Sequence, residues 1–362
     1  MKTVTGIIPD IPYSESLTLF PAGDVLFLDI ETTGFSRAHD FVYLIGVVFF
    51  QEKEWHYIQW LSAGPAEEAS ILREFLDFSA TRPVLIHFNG NSFDLPFLAG
   101  RAELHGIPYT LEKKTSLDLY RLLKPAGRLF SLPHRTLAGY QKLLGKERKD
   151  EHTGKELIPV YQKYVSGYFP ENETPLLSHN LEDLRATADV CRLLVFNSLS
   201  EGRFHVAGAS SDSSGLMLTL SPGDPFPVGF QHTAVLEEPD LQADLYAEKE
   251  SCRLQLKIPA LSGTMYHYIP DWKDYCYLPA EDMAIHKSIA SFVDRENRVQ
   301  ATSDTCYIKK EGFFAYQPSV MFEPEFRRTR RGASFFELTA QMTASPSVFQ
   351  VLAASLLSQI LQ

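Results

Sequence analysis

Apolar and polar residues follow a strand-like period in the opening part of the chain. Residues 25–30 are apolar apart from Asp29, which is typical of a strand buried on both faces. Residues 43–50 and 54–61 are apolar and aromatic, and the polar residues between them predict a hairpin loop. Three consecutive antiparallel strands are therefore predicted. Residues 1–24 are rich in Pro and polar residues and are expected to form an irregular lead-in.

A helical period appears after residue 65. Apolar residues then recur at spacings of three and four, and Pro, Glu or Ser near the start of a segment is typical of helix N-termini. The predicted helices are 65–80, a helix that follows Ser92 and runs through Leu104, 134–144, 158–168 and 176–197. Short apolar runs within 83–88 and 115–123 predict two further strands. This succession predicts an α/β domain with a mixed sheet and flanking helices.

The pattern changes again after residue 206. Residues 207–227 are rich in Ser, Gly and Pro, which is typical of a linker. The rest predicts a smaller α+β domain with a strand pair in 241–258, strands at 265–269 and 275–278, a helix at 283–292, a hairpin of 305–308 with 313–316, and a helix at 347–361. We therefore expect two domains, 1–206 and 228–362, on either side of a linker.

Composition narrows the class of protein. The 362 residues carry a formal net charge of −11, which argues against a protein that coats nucleic acid through its overall charge. The four cysteines lack zinc-ligand spacing, as expected for thiols in a reducing compartment. The N-terminus lacks the apolar run of a signal peptide, and no apolar stretch approaches the ~20 residues that span a bilayer. A cytoplasmic location without membrane attachment is therefore expected.

In two stretches of this acidic chain, basic residues outnumber acidic ones. Between residues 111 and 163, 12 Lys or Arg, among them Arg148, stand against 6 Asp or Glu, which suits a phosphate-facing surface or a set of solvated helix faces. Residues 326–332 read F-R-R-T-R-R-G and suit phosphate contact, and Tyr266, Tyr268 and Trp272 suit stacking on unpaired bases. A core of aromatic strands with a solvated basic loop explains this second stretch equally well.

Two acids at the first predicted strand are the strongest chemical signal. Asp29 lies within an apolar run, and Glu31 follows two positions later, so the strand period places both side chains on one face. A buried charge is costly unless it is paired or bound to a metal, and a divalent cation between two acids removes their repulsion. The alternative is an ordinary strand end with one solvated acid and one capping acid.

Two further acids follow apolar runs later in the chain. Asp94 falls in the first turn of the helix after Ser92, where an acid is also favoured simply by the helix dipole. His179 and Asp183 are four apart on the long helix and therefore share one face, which also suits an ordinary surface ion pair. A single arrangement explains all four acids together, because two-metal nucleases hold a pair of Mg²⁺ or Mn²⁺ ions with carboxylates.

Three motifs carry a resemblance to a known family. The segments F-L-D-I-E-T-T-G, H-F-N-G-N-S-F-D-L-P-F-L and H-N-L-E-D-L resemble, in order, the exonuclease motifs of the DEDD group in the ribonuclease H-like superfamily. The second is especially similar to that of the proofreading domains of family B DNA polymerases and of bacterial predicted exonucleases. The resemblance covers about 25–197. It implies a ribonuclease H-like fold and 3′-5′ hydrolysis of phosphodiester bonds in single-stranded DNA or RNA.

The resemblance also implies roles for individual residues. Asp29 and Glu31 match the acids of the first motif, Asp94 that of the second and Asp183 that of the third, so these four are the expected ligands of two Mg²⁺ or Mn²⁺ ions. His179 falls where one branch of the family has Tyr, one residue away from the usual His of the other branch, so the general base stays open. The residues expected to contact the nucleic acid are Thr32, Phe35, Asn89 and Phe93.

Two alternatives to an exonuclease remain at this point. One is a structure-specific endonuclease of the same superfamily, which would cleave a circular strand that an exonuclease leaves intact. The other is a nucleic-acid-binding module without catalytic activity, against which the presence of all four acids argues. Protein partners are not predicted.

Overall fold

The computed structural model describes residues 1–148, 152–167 and 170–361. Two compact units divide the chain: one is Met1–Ser198 together with Leu361, and the other is Leu199–Ile360. The first unit thus ends a few residues before the boundary predicted at 206. Within the described ranges, no helix has both the length and the apolar composition needed to cross a bilayer.

A six-stranded mixed sheet forms the centre of the first unit. Its strands are β1 (Lys2–Ile7), β2 (Val25–Thr32), β3 (Val42–Gln51), β4 (Glu54–Leu61), β5 (Val84–His87) and β6 (Thr115–Asp118). The order across the sheet is β1-β4-β3-β2-β5-β6. The pairs β1/β4, β4/β3 and β3/β2 are antiparallel, whereas β5 runs parallel to both β2 and β6. The predicted mixed sheet with antiparallel leading strands is confirmed.

Helices pack on both faces of this sheet. They are α1 (Glu15–Thr18), α2 (Glu68–Ser79), α3 (Asp94–Leu104), α4 (Leu119–Leu122), α5 (Lys124–Leu129), α6 (Leu137–Leu143), α7 (Gly154–Gly167), α8 (Glu173–Val190) and α9 (Leu194–Ser200). Leu28 and Ile30 of β2 pack with α2 and α3, in a cluster that includes Phe75. On α7, Tyr161 packs with Tyr43 of β3. Because side chains alternate along β2, Asp29 and Glu31 point away from the cluster of Leu28 and Ile30.

Three predictions in this unit need correction or fall outside the description. Residues 2–7 are not irregular but form β1, an edge strand held to β4 by backbone hydrogen bonds, which need no apolar run. The predicted helix 176–197 is divided, because a 3-10 turn, Cys191–Leu193, separates α8 from α9. Lys149 of the basic stretch 111–163 and Tyr168, the last residue of the predicted helix 158–168, lie outside the described residues.

The second unit is rich in β-structure. Its strands are β7 (His205–Asp212), β8 (Gly215–Ser221), β9 (Phe230–Val235), β10 (Gln242–Ala247), β11 (Leu254–Ile258), β12 (Ala260–Tyr268), β13 (Tyr275–Leu278), β14 (Met283–His286), β15 (Val299–Gln300), β16 (Tyr307–Gln317) and β17 (Ser334–Glu337). They form three sheets, ordered β7-β8-β11-β10-β9, β12-β16-β17 and β14-β13-β15. Its helices are α10 (Lys287–Ala290), α11 (Ala340–Thr343) and α12 (Gln350–Leu361), the last of which confirms the predicted C-terminal helix.

The predicted linker 207–227 is wrong. This stretch contributes β7 and β8, which pair antiparallel across a tight turn between Asp212 and Gly215. The Ser and Gly residues that suggest a linker occupy the partly exposed strand β7, where backbone pairing with β8 replaces side-chain packing. Composition alone therefore did not distinguish an exposed edge strand from a flexible connection.

Two further predictions in the second unit are wrong. The segment predicted as an amphipathic helix, 283–292, forms β14 followed by the short α10, and Ile289 is 61% exposed rather than turned inward. The predicted hairpin of 305–308 with 313–316 is a single strand, β16, in which K-K-E-G continues the pairing with β12. Those charged residues stay exposed while their backbone completes the sheet, so polarity there did not indicate a turn.

Candidate active site

The strand β2 places Asp29 and Glu31 in the middle of the sheet. Asp29 pairs with Gly46 of β3 and Glu31 with Leu44, so both side chains leave the same face. Glu31 is 7% exposed. The register shifts between Glu31 and Thr32, and such an irregularity bends a strand where it leaves its partner. The site therefore begins where the buried strand becomes a turn.

Asp94, the first residue of α3, reaches the same strand. Its Oδ1 accepts a hydrogen bond from the backbone N–H of Ile30 at 3.3 Å, and its side chain is buried. Burial is the main cause that raises the pKa of Asp94 to about 7, and the negative charges of Asp118 and Asp183 add to it. Both N–H donation and the helix N-terminus favour the ionised acid, but desolvation outweighs them.

The helix α8 supplies the remaining predicted residues. His179 Nε2 lies 3.6 Å from Glu31 Oε1 and 3.6 Å from Asp183 Oδ2, so the imidazole stands between an acid of the strand and an acid of its own helix. His179 is 4% exposed. Residues four apart on a helix share a face, and here that face is turned towards β2.

The four acids act on one another electrostatically. Burial and the charges of Asp183, Glu31 and Asp94, in that order, raise the pKa of Asp29 well above its usual range. Each acid that the sequence selected thus contributes to the environment of Asp29. Their combined charge disfavours ionisation of Asp29, because like charges that share a desolvated site repel.

Asn180 positions Asp29, and sequence reasoning missed it. Its Nδ2 donates to Asp29 Oδ2 at 2.8 Å and to the Asp29 carbonyl at 3.3 Å. Gln59 Nε2 donates to Asn180 Oδ1 at 2.8 Å and so fixes which amide atom faces Asp29. A Cβ at Gly46 would lie 1.9 Å from Asn180 Oδ1, so glycine is required for this close approach. A glycine inside the apolar run 43–50 was the available signal.

Arg148 was predicted only as part of a basic surface, but it reaches the site. Its Nη2 donates to Asp183 Oδ1 at 2.5 Å, and both side chains are largely buried, with exposed fractions of 23% and 19%. Among the residues described, this guanidinium forms a direct ion pair with one of the four acids. Spacing gave no signal for it, because Arg148 and Asp183 are 35 residues apart.

Asp118 holds the loop that precedes α3. Its carboxylate accepts hydrogen bonds from the backbone N–H of Asn89 at 2.9 Å and of Asn91 at 3.3 Å. Asn89 has a left-handed backbone with φ of 64°, which this residue type tolerates. His87 Nδ1 accepts from the N–H of Gly90 at 3.0 Å and so secures the same loop. These contacts fix the approach of α3, and with it the position of Asp94.

The predicted substrate-contacting residues divide into two groups. Phe35 is 82% exposed, and its ring lies edge-on to that of Phe93 with the centroids 6.0 Å apart, so these two form one aromatic surface. Thr32 and Asn89 take part in local structure, since Thr32 Oγ1 donates to the Gly34 carbonyl at 2.7 Å. Contact of these four residues with nucleic acid stays a prediction.

The donor set suits hard divalent cations, although the side chains are not arranged as a finished metal cluster. Within the described residues, no three His, Cys, Asp or Glu side chains form a group ready to hold an ion. Oxygens of Asp29 and Asp183 are turned towards Asn180 and Arg148. Carboxylates are nevertheless the ligands that Mg²⁺ and Mn²⁺ prefer, and the repulsion that raises the pKa of Asp29 is what such a cation relieves.

Comparison with known proteins identifies the first unit. The family model RNase_H_2, of the RNase_H superfamily, matches residues 26–195. Among solved structures, a family B DNA polymerase from the hyperthermophilic archaeon Pyrobaculum calidifontis is similar over 67% of this chain and 33% of its own, with 14% identity and a TM-score of 0.38. The chain thus spans about a third of that polymerase, and a likeness this distant supports no argument about activity. The match lies within the first unit, whose mixed sheet and flanking helices form an RNase H-like fold.

Proposed function

We propose that the protein is a two-metal-ion 3′-5′ exonuclease that hydrolyses phosphodiester bonds at the ends of single-stranded DNA or RNA. The observation that carries this proposal is the convergence of Asp29, Glu31, Asp94 and Asp183, four acids from three elements, on one buried site. The match of residues 26–195 to the RNase H superfamily supports a nuclease, and the 3′-5′ direction rests on the resemblance of the three motifs.

The proposed ligands follow from the position of each acid. Asp29 lies among the other three and would contact both ions, while Glu31 and Asp183, on either side of His179, would complete one site. Asp94, at the start of α3, would hold the second ion directly or through water. When bound, a pair of divalent ions activates the attacking water and stabilises the leaving oxygen.

His179 is the proposed proton acceptor or positioning group for the attacking water. Its Nε2 faces the gap between Glu31 and Asp183, and a neutral imidazole accepts a proton near neutral pH. A carboxylate oxygen lies 3.6 Å from Nε2 on either side, so the imidazole would stay oriented into the site.

Phe35 and Phe93 are proposed to receive the terminal nucleotide. Their aromatic surface adjoins the turn after β2, and an exposed ring suits stacking on an unpaired base of any identity. The strand β2 leads directly from Asp29 to this turn, so stacking would bring the terminal phosphodiester close to the acids.

The test is an assay of the purified chain with single-stranded DNA and RNA labelled at the 5′ end. With Mn²⁺ or Mg²⁺, we expect a ladder of products shortened stepwise from the 3′ end, and no products with chelator. A covalently circular strand of the same sequence serves as the matched control. An exonuclease leaves the circle intact, whereas cleavage of the circle would contradict the proposal and favour an endonuclease.

A further inference from the structure

Arg148 forms an ion pair with Asp183, an acid that the proposed function assigns to a metal ion. The Arg148 guanidinium donates to Asp183 Oδ1 at 2.5 Å. Hydrogen bonds between two charged groups are roughly twice as strong as neutral ones, and partial burial protects this pair from screening by salt. Asp29 and Asp94, by contrast, receive hydrogen bonds from neutral groups, the Asn180 amide and the Ile30 N–H.

A second ion pair, between Lys146 and Asp189 of α8, holds the segment that carries Arg148. After α6, Gly145 adopts a left-handed φ of 72°, and Lys146 N–H returns to the Gln141 carbonyl at 3.0 Å. Lys146 Nζ then lies 2.5 Å from Asp189 Oδ1, which belongs to a residue only 3% exposed. Asp189 is outside the proposed ligand set, so this pair anchors the segment and leaves Arg148, two residues on, to reach Asp183.

We propose that Arg148 is an internal counter-ion that competes with the divalent cation for Asp183. Arg148 releases Asp183 when a phosphate of the nucleic acid binds the guanidinium instead. This inference rests on the proposed function. A guanidinium and a dication that approach the same carboxylate repel each other, so one displaces the other. The planar guanidinium fits phosphate oxygens in pairs, so a substrate phosphate provides the alternative partner.

Competition at Asp183 couples the two ligands. If phosphate withdraws Arg148, the metal binds more tightly, and by reciprocity bound metal strengthens the binding of phosphate. The protein would then complete its metal site mainly in the presence of a nucleic acid end. Arg148 is therefore a positioning residue that acts through Asp183.

Calorimetric titration of the full chain with Mn²⁺ tests this competition directly. In Arg148→Gln, we expect Mn²⁺ affinity to rise about tenfold, within the usual range of coupling between sites. Arg148→Lys keeps the charge and should restore most of the wild-type affinity. The matched control is Arg185→Gln, which removes the same charge from α8, where Arg185 donates to the Pro9 carbonyl rather than to an acid. Its Mn²⁺ affinity should stay within about twofold of wild type.

A second titration uses deoxyadenosine monophosphate as the phosphate probe. The nucleotide should tighten Mn²⁺ binding in the wild type more than in Arg148→Gln, because the variant has no guanidinium to transfer. In the cleavage assay, Arg148→Gln should need less Mn²⁺ but show a raised KM for the oligonucleotide. Damage to the fold would weaken Mn²⁺ binding, so a tighter site is not explained by misfolding.

The possible results separate this inference from the proposed function. Unchanged or weakened Mn²⁺ affinity in Arg148→Gln, with Mn²⁺ bound by the wild type, would overturn the role of Arg148 and leave the nuclease proposal intact. An equal gain in Arg185→Gln would also overturn it, because charge alone would then be the cause. A wild type that binds no Mn²⁺ and cleaves nothing would remove the proposed function itself.

Discussion

Two aspartates, one in each unit, show opposite electrostatic surroundings. Asp29 of the first unit lies among other acids, and desolvation together with their charges raises its pKa well above the usual range. Asp282 of the second unit accepts hydrogen bonds from Tyr277, at 2.6 Å, and Tyr307, and Lys309 Nζ lies 3.2 Å away. These contacts, the tyrosine hydroxyls first, lower its pKa to about 2. Several acids close together in a desolvated site are typical of a functional site, whereas an acid held by hydroxyls and a lysine is typical of a structural contact.

In the arginine-rich stretch 326–332 of the second unit, as at Asp282, charged side chains lie beside groups of opposite charge. Arg327 pairs with Glu325 at 2.7 Å, Arg328 with Asp240 at 2.6 Å, and Arg330 with Asp304 at 3.1 Å; Arg328 also pairs with Glu238. Tyr266 packs edge-on against Tyr307 with centroids 4.8 Å apart. These contacts favour the structural interpretation of the stretch 326–332 over the phosphate-binding one, because Arg327, Arg328 and Arg330 already have acidic partners.

Removal of the acid at the centre of the site should have the largest effect. Asp29→Asn should lower the cleavage rate by roughly a thousandfold or more, since metal catalysis supplies several kcal/mol. The apparent Tm without metal should hold or rise, because the variant loses a buried repulsive charge. The measurements are the end-label assay and thermal unfolding.

The control for this change is Asp282→Asn in the second unit. It should leave cleavage unchanged and lower the Tm, because the hydrogen bonds and the ion pair at Asp282 favour the ionised acid. Normal cleavage by Asp29→Asn would reject the assignment of the site. The opposite stability pattern in the two variants would reject the contrast between the units.

His87 should make the first unit sensitive to mild acid. Asp29 and Asp94 should act in the opposite direction, because their raised pKa values let the folded chain take up protons at higher pH than the unfolded chain. Burial is the main cause that lowers the pKa of His87 from 6.5 to about 4, so the unfolded chain takes up the proton at higher pH than the folded one. His87 therefore contributes stability that is fully present above pH 6.5 and is lost as the pH falls through about 4, an effect of about 3 kcal/mol. For Asp282 the corresponding loss falls between pH 3.8 and about 2.

Urea unfolding between pH 7.5 and 4 measures the effect of His87. His87→Asn retains an acceptor for the Gly90 N–H. Between pH 7.5 and 4, its free energy of unfolding should change by about 3 kcal/mol in favour of the folded state relative to the change in the wild type. The exposed His205, replaced by Asn, is the control and should keep the wild-type slope. An unchanged slope in His87→Asn would show that another group accounts for the pH dependence.

Glycines in the two units should differ in their tolerance of a methyl group. Gly46→Ala would place Cβ 1.9 Å from Asn180 Oδ1, so Asn180 must move away from Asp29. We expect a loss of about 1–3 kcal/mol in the free energy of unfolding, with reduced cleavage. Gly208→Ala in β7 meets Thr219 only at 3.6 Å and should be neutral. Equal effects in the two variants would contradict the role of Gly46.

Aromatic residues should give the smallest and most selective effect. Phe35→Ala should raise the KM for single-stranded substrate roughly tenfold, as expected for one lost stacking contact, with little change in Tm. Tyr307→Ala should lower the Tm without changing KM, because that ring packs inside a tyrosine cluster of the second unit. Steady-state kinetics on both variants tests this, and an unchanged KM in Phe35→Ala would remove Phe35 from the proposed substrate surface.

The first unit was more predictable from sequence than the second. The buried strand around Asp29, the hairpin after it and the helix carrying Asp183 have strong apolar periods, and the structure forms them close to their predicted bounds. Such periods arise because each element buries one or both faces. In the second unit, β7 and β16 are exposed along much of their length, so their side chains carry little periodic signal.

Sequence patterns did not predict the residues that position the acids. Asn180 meets Asp29 across 151 residues, and Arg148 meets Asp183 across 35. Asp118 falls within the strand predicted in 115–123, but no spacing in the sequence indicates that it anchors the loop at Asn89. Spacing rules describe neighbours on one strand or one helix, whereas these contacts depend on where separate elements pack.

The sequence by itself determined most strands and helices of the first unit, the shared face of Asp29 and Glu31, and the shared face of His179 and Asp183, because strand and helix periods are local properties. Only the tertiary structure decided that these faces meet, that Gly46 admits Asn180 to Asp29, and that Arg148 pairs with Asp183. The packing of α8 against the sheet creates those contacts, and packing joins residues regardless of their distance along the chain.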